Sequence, residues 1–139
     1  MNRPQHREFG QTMPEHTIAI IGASNDRRKF GNKAVRAYQR LGWTVYPVNP
    51  REPVIEGLQA YPSIRDVPRP LDRVSIYLLP QLGMKILPDL AAVGAAEVFF
   101  NPGSESPELL EQATKSGINA IVACSILDIG TTPAEYPSA

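Results

Sequence analysis

The chain has 139 residues, room for one domain with a packed core and hardly for two. Its 14 Lys plus Arg balance 14 Asp plus Glu, which excludes a global field that recruits nucleic acid or an anionic membrane. A single cysteine excludes an internal disulfide and fits a reducing cytoplasm, and no apolar run approaches the roughly 20 residues of a membrane span.

Residues 1–15 are polar and aperiodic, so a flexible arm is expected there, neither signal peptide nor anchor. The domain itself is expected over 16–130, with a tail over 131–139. Thr17–Ile21 is a short continuous apolar run, the mark of a strand buried on both faces of a parallel sheet. Asn32–Leu41 then sets Val35, Tyr38 and Leu41 on one stripe, with Lys33, Arg36 and Arg40 away from it. Gly42 closes this predicted helix. Thr44–Val48 is a second strand, stopped by Asn49–Pro50.

A proline-rich connection follows to Pro70, with a short extended piece near Leu58–Tyr61 and a helical turn at Ser63–Val67. Arg73–Leu79 is a third strand. Leu82, Ile86, Leu90 and Val93 recur at helical spacing, and Pro88 is expected to kink or divide that helix. Ala96–Phe100 is a fourth strand. Ser106–Pro107–Glu108 reads as N-cap, first-turn proline and first-turn acid of a helix ending near Gly117. Ile118–Ala123 is a fifth strand. The alternation predicts an α/β fold: a doubly wound, Rossmann-like, five-stranded, mostly parallel sheet with helices on both faces. The expected strand order is third, second, first, fourth, fifth, with a ligand at the carboxyl ends beside the first strand.

The loop after the first strand reads GASNDRRKFG. Gly22, Ala23 and Ser24 let backbone N–H groups approach an anion at a helix N-terminus, and Lys29, with Arg27 and Arg28 nearby, can neutralise phosphate. The spacing is neither a dinucleotide fingerprint nor a Walker loop. On a purely structural reading, Gly22 and Gly31 only permit a tight strand-to-helix turn. After the second strand comes VNPRE, with Asn49, Pro50 and Arg51 where an NAD binder usually carries an acid. Glu52 lies beyond the proline, where the chain has left the strand. An arginine there suits a ribose phosphate, which leaves NADP or coenzyme A open.

Together GASNDRRKFG, VYPVNPR and GLQAYPSIRDVPRPLDRVSIYLLP resemble the coenzyme A-binding domain family, small proteins related to the N-terminal domain of the succinyl-CoA synthetase α-subunit and of ADP-forming acyl-CoA synthetases. The resemblance covers roughly Thr17 to Ala123. It implies that Gly22, Ala23 and Ser24 face a pyrophosphate, with Lys29 and Gly31 completing the turn. It also sets Asn49, Pro50 and Arg51 by a phosphorylated ribose, and Leu79, Pro80 and Gln81 beside the adenine or the start of the pantetheine arm. The sequence departs from many relatives at Leu78–Leu79, where they carry a basic pair, and at Asn101–Pro102–Gly103, where they carry Gln-Leu-Gly.

The related synthetases pass a phosphoryl group through a histidine in a further domain. The two histidines here, His6 and His16, precede the first strand and are expected away from the ligand edge. No residues stand at metal-ligand spacing, and catalytic residues are expected to be none. Cys124, just past the fifth strand, is the one candidate redox thiol, able in principle to exchange with the pantetheine sulfur; its alternative is an inert core thiol. The expected function is therefore binding of coenzyme A or an acyl-CoA by an accessory or regulatory, cytoplasmic, non-catalytic protein. Its partner is a small-molecule nucleotide ligand, with no nucleic acid and no membrane. An NADP-dependent oxidoreductase, and a module lending coenzyme A binding to a partner synthetase, are the alternatives.

Overall fold

Strand β1 (Thr17–Ile21) divides two cores in the computed structural model, which describes residues 16–139. Ile18 and Ile20 pack on one side with helix α1 (Phe30–Arg40), while Ala19 and Ile21 pack on the other. A strand covered on both faces has no solvent side, which is why every position is apolar or small. The arm expected over 1–15, with His6, lies outside the described residues.

Helix α1 starts at Phe30 rather than Asn32. It ends at Gly42, whose φ of +85° lets Gly42 N–H reach Gln39 O and Trp43 N–H reach Tyr38 O. This pair of bonds is a Schellman closure. Leu41, expected on the inner stripe, is exposed, because the turn carries it off the core. Lys33, expected in solvent, is 8% exposed. The reason is the segment read as a tail: its 3₁₀ turn at Pro133–Glu135 and buried Tyr136 lie over α1. Lys33 Nζ donates to Tyr136 O, and Arg36 Nη2 donates to Tyr136 O and Pro137 O at 3.2 and 2.8 Å.

The remaining elements follow in order. Strand β2 (Thr44–Val48) leads to a hairpin of β3 (Val54–Ile55) and β4 (Leu58–Gln59), then to a 3₁₀ turn at Ile64–Asp66 capped by Ser63. Next come β5 (Arg73–Ile76), α2 (Pro80–Val93), β6 (Glu97–Phe100), α3 (Pro107–Lys115), β7 (Ala120–Val122) and the single turn α4 (Ser125–Asp128). Helix α3 carries the expected cap, with Ser106 Oγ accepting Leu109 N–H at 3.1 Å. Helix α2 runs through Pro88 undivided, held by buried Leu87 and Leu90 on either side. No helix among the described residues is long and apolar enough to cross a membrane.

The five main strands are all parallel, in the order β2-β1-β5-β6-β7. This corrects the expected third-second-first-fourth-fifth order: the third predicted strand, β5, pairs with β1 and not outside β2. The connection from β2 to β5 explains the placement. It holds no α-helix, and it lays Tyr61 along the outer edge of β2, where Tyr61 N–H donates to Pro47 O and Asn49 N–H to Tyr61 O, both at 2.9 Å. With that edge covered, the next strand joins the open side of β1. The chain therefore reverses direction between β1 and β5, and a crevice opens at their carboxyl ends.

One stretch of the sheet is polar inside. In β5, Val74 and Ile76 join the core under α2 and α3, but Arg73 and Ser75 face α1 and α4. Arg73, 9% exposed, donates to Tyr38 Oη at 3.0 Å, to Glu97 Oε1 and to Asp128 Oδ2, and lies 4.4 Å over the Phe99 ring. Burial works against its charge, but the hydrogen bonds it donates to Tyr38 and Glu97 outweigh it and hold the guanidinium above its ordinary value. This cluster sits at the amino ends of the strands, away from the crevice.

Candidate functional site

The loops leaving β1, β2, β5 and β6 enclose a cavity of about 930 Å³ at the switch point. Gly22 forms its base. Its φ is +92°, and a Cβ there would stand 2.6 Å from Tyr77 O on the neighbouring strand. Gly31 packs the first turn of α1 directly on Gly22 O. Both glycines are thus demanded by close strand and helix approach, as the structural reading of the sequence anticipated.

That approach brings the start of α1 to the cavity wall. Lys29, the residue preceding the helix, offers no side-chain cap, and the first turn has no acid. Helix α2 repeats the arrangement: Leu79 precedes it without a cap and its first turn has no acid. Lys29 and Leu79 both line the cavity, so two uncapped helix N-termini, each with partial positive charge, converge on it.

The loop cations divide into two groups. Arg27 pairs with Glu56 at 2.8 Å, and this pairing, helped by Asn32, pulls the Glu56 carboxyl down to about 2. Arg28 bonds Asp26 through side chain and backbone, holding that carboxyl well below the usual carboxylate range. Neither arginine lines the cavity. Lys29, Arg51 and Lys85 do, and none of the three has a side-chain hydrogen bond or ion pair among the described residues, Lys29 adding only a weak Coulombic pull on Asp26. Lys85 was not anticipated from the sequence. It follows Leu82 by three positions on α2, so it shares that residue's face, and Leu82, on the apolar repeat of the helix, is 43% exposed in the cavity.

Asn49 fastens the second loop. Its Oδ1 accepts Arg51 N–H at 2.7 Å and Glu52 N–H at 3.1 Å, while its Nδ2 donates to Ala23 O at 2.9 Å. The loops after β1 and β2 are therefore tied across the crevice. Glu52, set aside in the sequence because it lies past Pro50, is folded back by this turn and lines the cavity. Ser24 Oγ accepts Asp26 N–H at 3.0 Å and keeps its own proton for another acceptor.

The rest of the wall is mostly apolar, with Ser63 and Ser104 the polar exceptions. Phe30 on α1, Leu79 just before α2 and Leu82 on α2, the first two 58% and 59% exposed, stand around the cavity with Ile86 and Pro62. Beneath it runs a buried hydrogen-bond network. Asn101 Nδ2 donates to Ser75 Oγ, Ser75 and Ser125 hydroxyls meet at 2.7 Å, and Asn101 Oδ1 accepts Ser125 N–H at 2.8 Å. Tyr77 reaches the same Ser125 hydroxyl at 3.3 Å, and burial raises its phenol to about 12. The network fixes the loop that continues into Pro102–Gly103, at the far end of the cavity.

The expected site residues Gly22, Ala23, Ser24, Lys29, Gly31, Asn49, Pro50, Arg51 and Leu79 thus come together on one cavity. Pro80 and Gln81 are not among its lining residues, because they begin α2 beyond Leu79. Cys124 is not among them either: it precedes α4, half-buried, and packs beside the core of Ile126 and Ala23. His16 lies at the amino end of the sheet, stacked on Trp43 at 4.9 Å. Among the described residues, no group of three His, Cys, Asp or Glu is placed to hold a metal.

The chain is similar to several known proteins. The chain is 35% identical over 117 residues to the α subunit of ADP-forming acetate–CoA ligase II of Pyrococcus furiosus, covering 75% of this chain and 25% of the subunit. It is 30% identical over 114 residues to ADP-forming acetate–CoA ligase I of Archaeoglobus fulgidus, covering 75% of this chain and 17% of that enzyme. The chain therefore spans a quarter or less of the length of these relatives. Among solved structures, a conserved hypothetical protein from Pyrococcus furiosus superposes with a TM-score of 0.76 at 30% identity, over 81% of this chain and 98% of its own. The apo form of the dinucleotide-forming acetyl-coenzyme A synthetase 1 of Ca. Korarchaeum cryptofilum superposes at 0.66 and 26% identity, over 76% of this chain and 25% of its own. The family model for the CoA binding domain matches residues 16–129, and the chain belongs to that family.

Proposed function

We propose that the protein binds coenzyme A or an acyl-CoA in this cavity, as an accessory or regulatory module and not as a catalyst. One observation carries the reading: Lys29, Arg51 and Lys85, none with a side-chain hydrogen bond or ion pair among the described residues, line a largely apolar cavity that also receives two uncapped helix N-termini. Such a site suits a ligand with several phosphate groups and a long, weakly polar arm. In this reading the diphosphate meets Lys29 and the backbone of Gly22, Ala23 and Ser24. The ribose phosphate meets Arg51 beside Asn49 and Pro50, and the pantetheine arm follows the wall of Leu79, Leu82 and Ile86. The polar groups offered are suited to pairing and orienting anions, which supports the non-catalytic role. The unpaired thiol of Cys124 suits a reducing, cytoplasmic setting.

A second reading shares this ligand: the chain lends coenzyme A binding to a partner synthetase. Its support is that the chain matches only a quarter of the acetate–CoA ligase subunit. Thermal unfolding with CoA, acetyl-CoA, NADP and NAD tests the ligand. A ligand at 100 times its dissociation constant stabilises by about 2.7 kcal/mol. Stabilisation by CoA or acetyl-CoA, with neither dinucleotide effective, is the expected result. Stabilisation by NADP alone would turn the reading to an oxidoreductase.

A further inference from the structure

Two adjacent residues of opposite charge, Arg51 and Glu52, line the same cavity, and both backbones are pinned to one atom, Asn49 Oδ1. The Glu52 carboxylate is itself held. Oε1 accepts Asn25 Nδ2 at 2.6 Å and Asn25 N–H at 3.3 Å, while Oε2 accepts only Asn49 Nδ2, at 3.3 Å. A carboxylate oxygen carries two acceptor lone pairs, so Oε2 retains capacity for a further donor. Arg51 has no side-chain partner among the described residues; Glu52 does not neutralise it.

Resting on the coenzyme A reading, we infer that Glu52 determines which ribose hydroxyl is phosphorylated in the ligand. An adenosine ribose presents two neighbouring oxygens, at 2′ and 3′. With the 3′-phosphate on Arg51, the adjacent 2′-hydroxyl is a donor for Glu52 Oε2. With the phosphate at 2′, as in NADP, the same seating brings a phosphate against the carboxylate. Like charges at that range repel, and the free 3′-hydroxyl cannot replace the arginine's partner. An acid next to an arginine thus selects the 3′-phosphate isomer by attraction at one oxygen and repulsion at the other. The carboxylate cannot swing aside freely, because Asn25 and Asn49 hold it from two loops.

Calorimetric titration of the full chain with adenosine 3′,5′-bisphosphate and adenosine 2′,5′-bisphosphate tests this, in wild type, Glu52→Gln and Glu52→Ala. Wild type is expected to bind the 3′,5′ isomer at least 10-fold more tightly. Glu52→Gln keeps an acceptor for Asn25 and is expected to shrink that ratio several-fold, chiefly by improved binding of the 2′,5′ isomer. Glu52→Ala should shrink it as well, with its folded fraction checked by thermal melting. Equal affinity of wild type for the two isomers, or an unchanged ratio in folded Glu52→Gln, overturns the role of Glu52 while leaving coenzyme A binding intact. Failure of wild type to bind either isomer, or CoA itself, removes the coenzyme A reading and this inference with it.

Discussion

The carbonyl oxygen of Tyr77 lies 2.6 Å from the point where a Cβ on Gly22 would stand. The first strand therefore reaches its neighbour at the switch point only with a residue lacking a side chain. The same glycine has φ +92°, a conformation that L side chains rarely adopt.

Gly22→Ala is accordingly expected to lower stability before it affects any ligand. The backbone conformation alone costs about 1–3 kcal/mol, and displacement of Tyr77 adds to it. Urea unfolding of the ligand-free protein measures the loss. Wild-type stability with abolished ligand binding would show instead that the glycine serves the ligand and not the strand.

Glu56 gives the fold an acid sensitivity. Its carboxyl is held at about 2, against an ordinary value of 4.5, chiefly by hydrogen bonding to Arg27. A carboxyl depressed in the folded state contributes stability that is fully present above about 4.5 and is lost as pH falls through about 2. Arg27 is partly exposed, so solvent screening keeps the contribution modest. Glu56→Gln should be less stable than wild type at pH 7 and indistinguishable from it near pH 2, by chemical denaturation at both. An equal deficit at the two pH values would assign the loss to packing of the β3–β4 hairpin.

Arg73 should matter to stability and not to binding. Its guanidinium bridges Tyr38, Glu97 and Asp128 and lies over Phe99, at the amino ends of the strands, away from the cavity. Arg73→Met leaves Tyr38 and two partly exposed acids without their donor. It is expected to cost about 2–4 kcal/mol, somewhat below a fully buried pair. Arg73→Lys should recover only part, because one ammonium cannot reproduce the forked donors. A large loss of ligand affinity in a folded Arg73→Met protein would tie this cluster to the cavity.

The elements themselves were legible because their causes are local. A run buried on both faces marks β1, a glycine at φ +85° ends α1, and Ser106–Pro107 opens α3. Strand order was not legible, since an apolar strand such as β1 carries no sign of which neighbour lies on which side. What decided it was Tyr61 occupying the edge of β2, a pairing between residues in a proline-rich connection. The site divided in the same way. Gly22, Lys29, Asn49 and Arg51 sit on loops that follow strands, and their places follow from the chain order. Glu52 was misplaced because the Asn49 turn that folds it inward is a side-chain interaction. Lys85 was missed because an apolar repeat such as Leu82 and Ile86 does not show that its face borders a cavity and not the core.

The central claim, a coenzyme A site with its ribose phosphate on Arg51, is tested most directly by calorimetry with CoA and 3′-dephospho-CoA on wild type and Arg51→Ala. The account predicts that wild type prefers CoA by about 1.5–3 kcal/mol, the worth of a charge-assisted contact, and that Arg51→Ala binds the two ligands alike. Equal affinity of wild type for CoA and 3′-dephospho-CoA, or a preference that survives in Arg51→Ala, would contradict it.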